Sequence, residues 1–331
     1  MTEVVPPLGL QKIMGVAAIS PSISRVGNRV LGGKDNYLAD QDLVIELEKS
    51  APGQYAAAWA SREFQQRVLR YLAGTVGVRQ FLDLGAGLPV PEARRVNTHQ
   101  IVNFARGIPE ADRPIVVYVD NDPICVAHGR ALLATNEQSH YLLGDLTDPN
   151  LLHDPAVSTY LDLECPVGVL LCGVMHHVDE NLDPAGIVHG WIEVLPPGSF
   201  LVLTHLFDPG PNNCLHEYAV SCQARYLEAL GSGWFRTREQ IAGFFDSLRM
   251  VTPGLVRPGD WWPGGPSLRP GSVAERLLLA GVGWKPRDPA DVTRGPNRLA
   301  YNLAHPCCCA GSHRLLTGKA SSRSARIDRP A

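Results

Sequence analysis

Apolar residues lead into Asp83 in the segment Phe81-Leu-Asp-Leu-Gly-Ala-Gly-Leu-Pro89, followed by Gly85-Ala86-Gly87 and a proline. A backbone without Cβ turns sharply and lets a ligand approach its N–H groups, which suits a nucleotide-like molecule at a strand end. Gly-x-Gly alone also makes ordinary turns, so the rest of the chain has to agree. It does. The apolar run Pro114–Val119 ends in Asp120-Asn121-Asp122, and an acid at the end of a second parallel strand is the group that hydrogen-bonds ribose hydroxyls in such folds. Asp120 follows Asp83 by 37 positions, more than the ~20 of a compact dinucleotide site, so the connecting segment carries an insertion. Asp145 closes the run that begins at His140, His176 and His177 follow the apolar run Cys165–Val174, and His205 follows Ser199–Thr204. A histidine at a strand end can serve as a general base or simply fill a structural place.

The positions of these groups require a particular frame. Near-continuous apolar runs at 80–84, 114–119, 140–146, 165–174 and 199–204 read as strands covered on both faces. Helix-spaced segments at 92–105, 124–133 and 185–195 alternate with them, which predicts an α/β doubly wound parallel sheet of Rossmann-like type. A helix at 238–248 precedes an antiparallel closing pair, 249–253 with 275–282, around a Pro/Gly/Trp-rich loop. Upstream, 39–49 and 55–72 read as helices broken at Pro52-Gly53. In the second of them Trp59, Phe64, Val68, Leu69 and Leu72 form a core stripe, and Arg62, Arg67 and Arg70 read as a solvated face. Arg25–Tyr37, with Gly32-Gly33-Lys34-Asp35-Asn36, reads as a polar loop. The expected organisation is a loose leader at 1–20, a helical cap at 21–75, the sheet domain at 76–286 and a poorly ordered tail at 287–331.

The composition narrows the function classes. The chain has 331 residues, 45% hydrophobic and 19% charged, as expected of a soluble globular protein with a sizeable core. A net charge of −3 provides no basic field for nucleic acid, and no apolar run approaches the ~18 residues of a membrane span. No secretory signal stands at the N-terminus and the eight cysteines do not form a disulfide framework, so the cytoplasm is the expected compartment. His305, Cys307-Cys308-Cys309 and His313 lack the Cys-x-x-Cys spacing of a zinc site, and no metal is expected.

Several stretches together resemble the actinobacterial S-adenosylmethionine-dependent methyltransferases known simply as S-adenosyl methyltransferases. The resemblance is carried by LGGKDNY (31–37), FLDLGAGLP (81–89), NTHQIV (97–102), VVYVDNDPICVAHGRALL (116–133) and GDLTDP (144–149). It continues through DPAGIV (183–188), LPPGSFLVLTH (195–205), FRTREQIAGFFDSLRMVTPGLV (235–256) and GVGWKP (281–286), and so spans about residues 20–286. One departure lies at Ser24–Arg29, where the family's Pro-Ala-Arg-x-Tyr-Asp-Tyr run has lost both tyrosines.

The resemblance implies a class I methyltransferase fold with a reversed final strand and S-adenosyl-L-methionine as cofactor. It implies that Asp83 holds the cofactor ammonium, that Gly85, Ala86 and Gly87 pass close to its methionine and ribose portions, and that Asp120 accepts from the ribose hydroxyls. Asn121, Asp122, Asp145 and Leu146 would border the adenine, and Gly33, Lys34, Asp35 and Asn36 would fold over the site as a lid. Methyl transfer needs alignment rather than a covalent nucleophile, and a hydroxyl or amine acceptor would use a base, for which His176 and His205 are the candidates. The acceptor is expected to be a small molecule. Two rivals stand beside this reading. A nicotinamide oxidoreductase is weakened by Val90 at the third glycine position and by the absence of any Tyr-x-x-x-Lys pair. A non-catalytic cofactor-binding protein remains compatible with the altered 24–29 segment.

Overall fold

The protein is described by a computed structural model over residues 20–90, 97–103, 113–134, 137–262 and 271–287. The expected leader up to residue 19, the tail from 288 and the cysteine-rich segment within it lie outside these residues.

Strand β1 (Gln80–Leu84) is buried at every position because neighbours flank it on both sides. It pairs in parallel with β2 (Ile115–Asp120) and β4 (Gly168–Cys172). Outward from these lie β3 (Ser139–Leu143) and β5 (Phe200–Leu206), again parallel. With β6 (Arg249–Met250) and β7 (Leu278–Trp284), the sheet order is β3-β2-β1-β4-β5-β7-β6. Strand β7 runs antiparallel to both neighbours, in register from Phe200↔Trp284 to Leu206↔Leu278. The α/β sheet expected from the alternation is therefore present, with its reversed closing strand inserted between β5 and β6.

Alternation along each strand assigns the two faces. Phe81, Val116, Val202 and Val282 pack with Phe64, Val68 and Leu72 of the N-terminal helices, whereas Leu82, Val117 and Leu171 pack with Trp191 on the other side. Asp83 shares the face of Phe81, so its carboxylate is directed under the N-terminal helices. Those are α1 (Ile23–Val30), α2 (Leu38–Ser50) and α3 (Gln54–Tyr71). They precede α4 (Thr98–Asn103), α5 (Pro123–Leu132), α6 (Pro184–Val194), α7 (His216–Leu230) and α8 (Arg238–Gly243).

Several boundaries differ from the sequence expectation. Residues 25–30 form helix α1, not a loop: the Ser22 hydroxyl accepts from Arg25 N at 3.3 Å, and Arg25 is tied from its Nε to the Asp40 carboxylate at 2.7 Å. That pairing overrides the poor helix propensity of Gly27 and Asn28. Strand β3 stops at Leu143, where Gly144 N turns to the Asp120 carbonyl at 3.1 Å, so Asp145 lies beyond it. His205 lies within β5 and not after it. Helix α7 occupies a stretch to which the sequence reading assigned no element.

Asp40 is fully buried and also accepts from Ser22 N at 3.0 Å and Tyr37 N at 2.8 Å. Removing it strands the buried Arg25 charge, a change that costs about 3–5 kcal/mol. Asp40→Ala is expected to lower the urea midpoint and to open α1 to protease before the sheet, both read on the purified variant.

Candidate active site

The carboxyl ends of β1, β2, β3, β4 and β5 open into one cavity of about 800 Å³, roofed by α1, α2, α3 and α7. Its size is within the ~300–1,000 Å³ range of small-molecule sites and leaves room for two ligands side by side. Gly85 and Gly87 both have positive φ, 64° and 67°. A Cβ on Gly85 would meet Val174 at 2.3 Å, so only glycine fits there. The loop is anchored to β2: Gly87 N donates to Asp120 Oδ2 at 2.8 Å and Ala86 N to the Val119 carbonyl at 3.1 Å. Asp122 N donates to the other Asp120 oxygen at 2.9 Å. Burial pushes the Asp120 carboxyl above its usual range, with those two N–H groups opposing the shift. Asn121 and Asp145 are exposed at the rim, and half-buried Leu146 borders the same end. Asp145 accepts from the Thr147 N–H and hydroxyl, both at 2.9 Å.

Asp83 is reached through a chain that the sequence reading missed. Arg62 donates to Gln65 Oε1 at 2.8 Å, Gln65 Nε2 to Thr98 Oγ1 at 3.3 Å, and Thr98 Oγ1 to Asp83 Oδ2 at 2.6 Å. Burial raises the Asp83 carboxyl, while the Thr98 hydrogen bond and the Arg62 charge oppose that rise. Arg62 lines the cavity, which corrects its assignment to a solvated face. Arg67 is also engaged, donating to the Pro258 and Trp261 carbonyls at 2.6 and 3.1 Å.

Gly33, Lys34, Asp35 and Asn36 do not line the cavity; Ser24, Gly27 and Asn28 of α1 do. Lys34 and Asp35 are exposed, and Gly33 is packed so closely that a Cβ would fall 2.2 Å from the Asn28 amide. Asn36 Nδ2 donates to Asn28 Oδ1 at 2.9 Å, and Asn28 Nδ2 to the Pro89 carbonyl at 3.3 Å. The loop is thus a buttress behind Asn28, and the sequence signal for Asn28 was the glycine its side chain requires.

The three histidines meet at the far wall. Rings of His176 and His177 are 4.4 Å apart, and those of His176 and His205 5.7 Å. Both nitrogens of His205 are engaged: Nδ1 donates to the Leu206 carbonyl at 2.6 Å, which leaves Nε2 to accept from Arg236 at 2.7 Å. The structure therefore corrects the assignment of His205 as a candidate base, because it has no lone pair left to take a proton. His177 Nδ1 is 2.8 Å from the Ser232 hydroxyl, whereas His176 Nδ1 is buried without a partner. Arg236, 2% exposed, also donates to the Met175 and Val178 carbonyls and to Glu180, and so pins the turn that carries His176. Among the described residues no group of three or more His, Cys, Asp or Glu could hold a metal ion, and no helix is long and apolar enough to cross a membrane.

Comparison with known proteins decides between the readings of this crevice. A family profile described as S-adenosyl methyltransferase matches residues 11–286. The chain belongs to this S-adenosyl methyltransferase family. A candidate methyltransferase of Thermobifida fusca is 35% identical over 86% of this chain and all of that one, with a TM-score of 0.72. A DUF574-family protein of Streptomyces avermitilis is 28% identical over 82% of this chain and all of its own length, with a TM-score of 0.71. No curated protein matches. The cofactor of this methyltransferase is S-adenosylmethionine, and the cavity fits it: Cβ atoms at Gly27 and Gly173 would meet nothing within 4 Å, and at Gly87 only Ser24 at 4.0 Å. Bare backbone therefore faces open space at three places on the wall. Asp83 and Arg62 line the same cavity.

Burial holds His177 at about 4 and His205 at about 3, against 6.5 in the unfolded chain. Above pH 6.5 both states carry neutral rings, so their contribution to stability is fully present. As pH falls from 6.5 toward these values the unfolded chain takes up protons first, costing up to about 1.4 kcal/mol per ring and pH unit. Asp83 and Asp120 act with the opposite sign, since their raised carboxyls favour the fold in acid and lose that contribution as pH rises past 3.8. The melting temperature is expected to fall from pH 7 to pH 4.5, and less steeply in His205→Gln; equal slopes in the two proteins would contradict the assignment.

Proposed function

We propose that this methyltransferase transfers a methyl group to a small-molecule acceptor, with His176 as the general base. The observation that carries the reading is one cavity joining the Asp83–Asp120 end to His176, which lies on its wall. When bound, S-adenosylmethionine supplies an electrophilic methyl group whose transfer needs alignment and exclusion of water, not a covalent enzyme intermediate. Asp83 takes the cofactor ammonium and Arg62 its carboxylate, a pairing supported by their opposite charges on one wall. Asp120 accepts from the ribose hydroxyls with the lone pairs left free by Gly87 and Asp122. Gly85, Ala86 and Gly87 bring backbone against the cofactor, and Asn121, Asp122, Asp145 and Leu146 border the adenine. Gly33, Lys34, Asp35 and Asn36 act at one remove, by fixing Asn28.

His176 suits a base because it is neutral at pH 7: burial first, then the neighbouring His177, His205 and Arg236, hold it well below its ordinary range. His205 positions it through Arg236. A net charge of −3 supports a small acceptor over a nucleic acid.

Calorimetric titration with S-adenosylhomocysteine tests the cofactor end. Asp120→Ala is expected to weaken binding by about 1.5–3 kcal/mol, the worth of a hydrogen bond to a charged group; an unchanged affinity would sink that assignment. For the base, His176→Gln should lower kcat about 10²–10⁴-fold once an acceptor is in hand. Cofactor affinity should stay within a factor of two in that variant.

A further inference from the structure

Resting on the methyl-transfer reading above, we infer that the acceptor is an uncharged molecule with an apolar body, held between α2, α3, α7 and β7. The cavity is divided by charge. All the carboxylates on its wall, Asp83, Asp120, Asp122 and Asp145, lie at or beyond the ends of β1, β2 and β3, with Arg62 beside Asp83. The sheet order sets β5 and β7 on the opposite side of β1 from β2 and β3. There the wall includes Val44, Leu47, Ala57, Tyr226, Leu230 and Leu278, and no Asp, Glu, Lys or Arg lines it.

Most polar groups on this side are engaged within the protein. Ser61 and Thr204 hydroxyls are 2.8 Å apart. The Tyr226 hydroxyl donates to Gln54 Oε1 at 2.9 Å, and Gln54 Nε2 to the Ala51 carbonyl at 2.8 Å. A charged acceptor would lose its hydration here and find no counter-charge, so carboxylates and ammonium ions are disfavoured. His176 and His177 also line this side and can meet one hydrogen-bonding group on an otherwise apolar molecule.

The test uses the full chain saturated with S-adenosylhomocysteine and titrated calorimetrically with 2-naphthol, 2-naphthoate or 2-naphthylmethylammonium. The neutral naphthol is expected to bind at least tenfold more tightly than either ion. Leu230→Asp should weaken naphthol binding at least tenfold, Leu230→Met should not, and both should bind S-adenosylhomocysteine within twofold of the parent. Comparable binding of either ion, or no naphthol binding by protein that does bind S-adenosylhomocysteine, overturns the inference and leaves the cofactor site standing. A parent protein that does not bind S-adenosylhomocysteine overturns the site assignment on which both rest.

Discussion

The carboxylate of Asp120 ties together the two strands whose ends form the crevice. It accepts from the backbone of the glycine loop after β1 and from its own turn after β2, at 2.8 and 2.9 Å. The Asp120 carbonyl meanwhile accepts Gly144 N at 3.1 Å and so sets where β3 ends. Tyr141 of β3 closes the arrangement from the other side, its hydroxyl donating to the Gly87 carbonyl at 2.6 Å. One acid thus shapes three strand ends. Its burial carries an electrostatic cost, visible in the raised carboxyl, that backbone donors only partly offset.

Asp83 meets the same constraint differently. Its strand phase directs it beneath α3, where a hydroxyl, an amide and finally a guanidinium relay charge from Arg62. Two buried acids thus lie in one crevice, both raised by desolvation. The N-terminal helices are therefore part of the site: α3 supplies Arg62 and Gln65, and α1 supplies the wall at Ser24, Gly27 and Asn28.

At the opposite end the organising group is a cation. Arg236 reaches the Met175 and Val178 carbonyls, Glu180 and His205, and so joins β5 to the turn after β4. By occupying His205 Nε2 it leaves that ring no nitrogen to spare, whereas His176 Nδ1 has no protein partner. Between the acidic and histidine ends the wall changes from charged to apolar, and that gradient gives the cavity its direction.

Periodicity was enough to place the parallel strands of the sheet, and the motifs carried the resemblance that implied the cofactor. A buried parallel strand has to be apolar on both faces, and a turn such as Gly85 admits no Cβ; both constraints are local and written into the residue types. FLDLGAGLP and the acids that follow later strands are legible for that reason. The helix at 23–30 was not legible, because it is held by Asp40, a partner 15 residues from Arg25, against its own propensity. Arg62 looked like one of three surface arginines until packing of α3 on the sheet set it beside Asp83. His176 and His205 were equivalent as strand-end histidines, and only Arg236, 31 residues from His205 in the chain, separates them. These distinctions depend on contacts between distant segments, which spacing along a single chain does not encode.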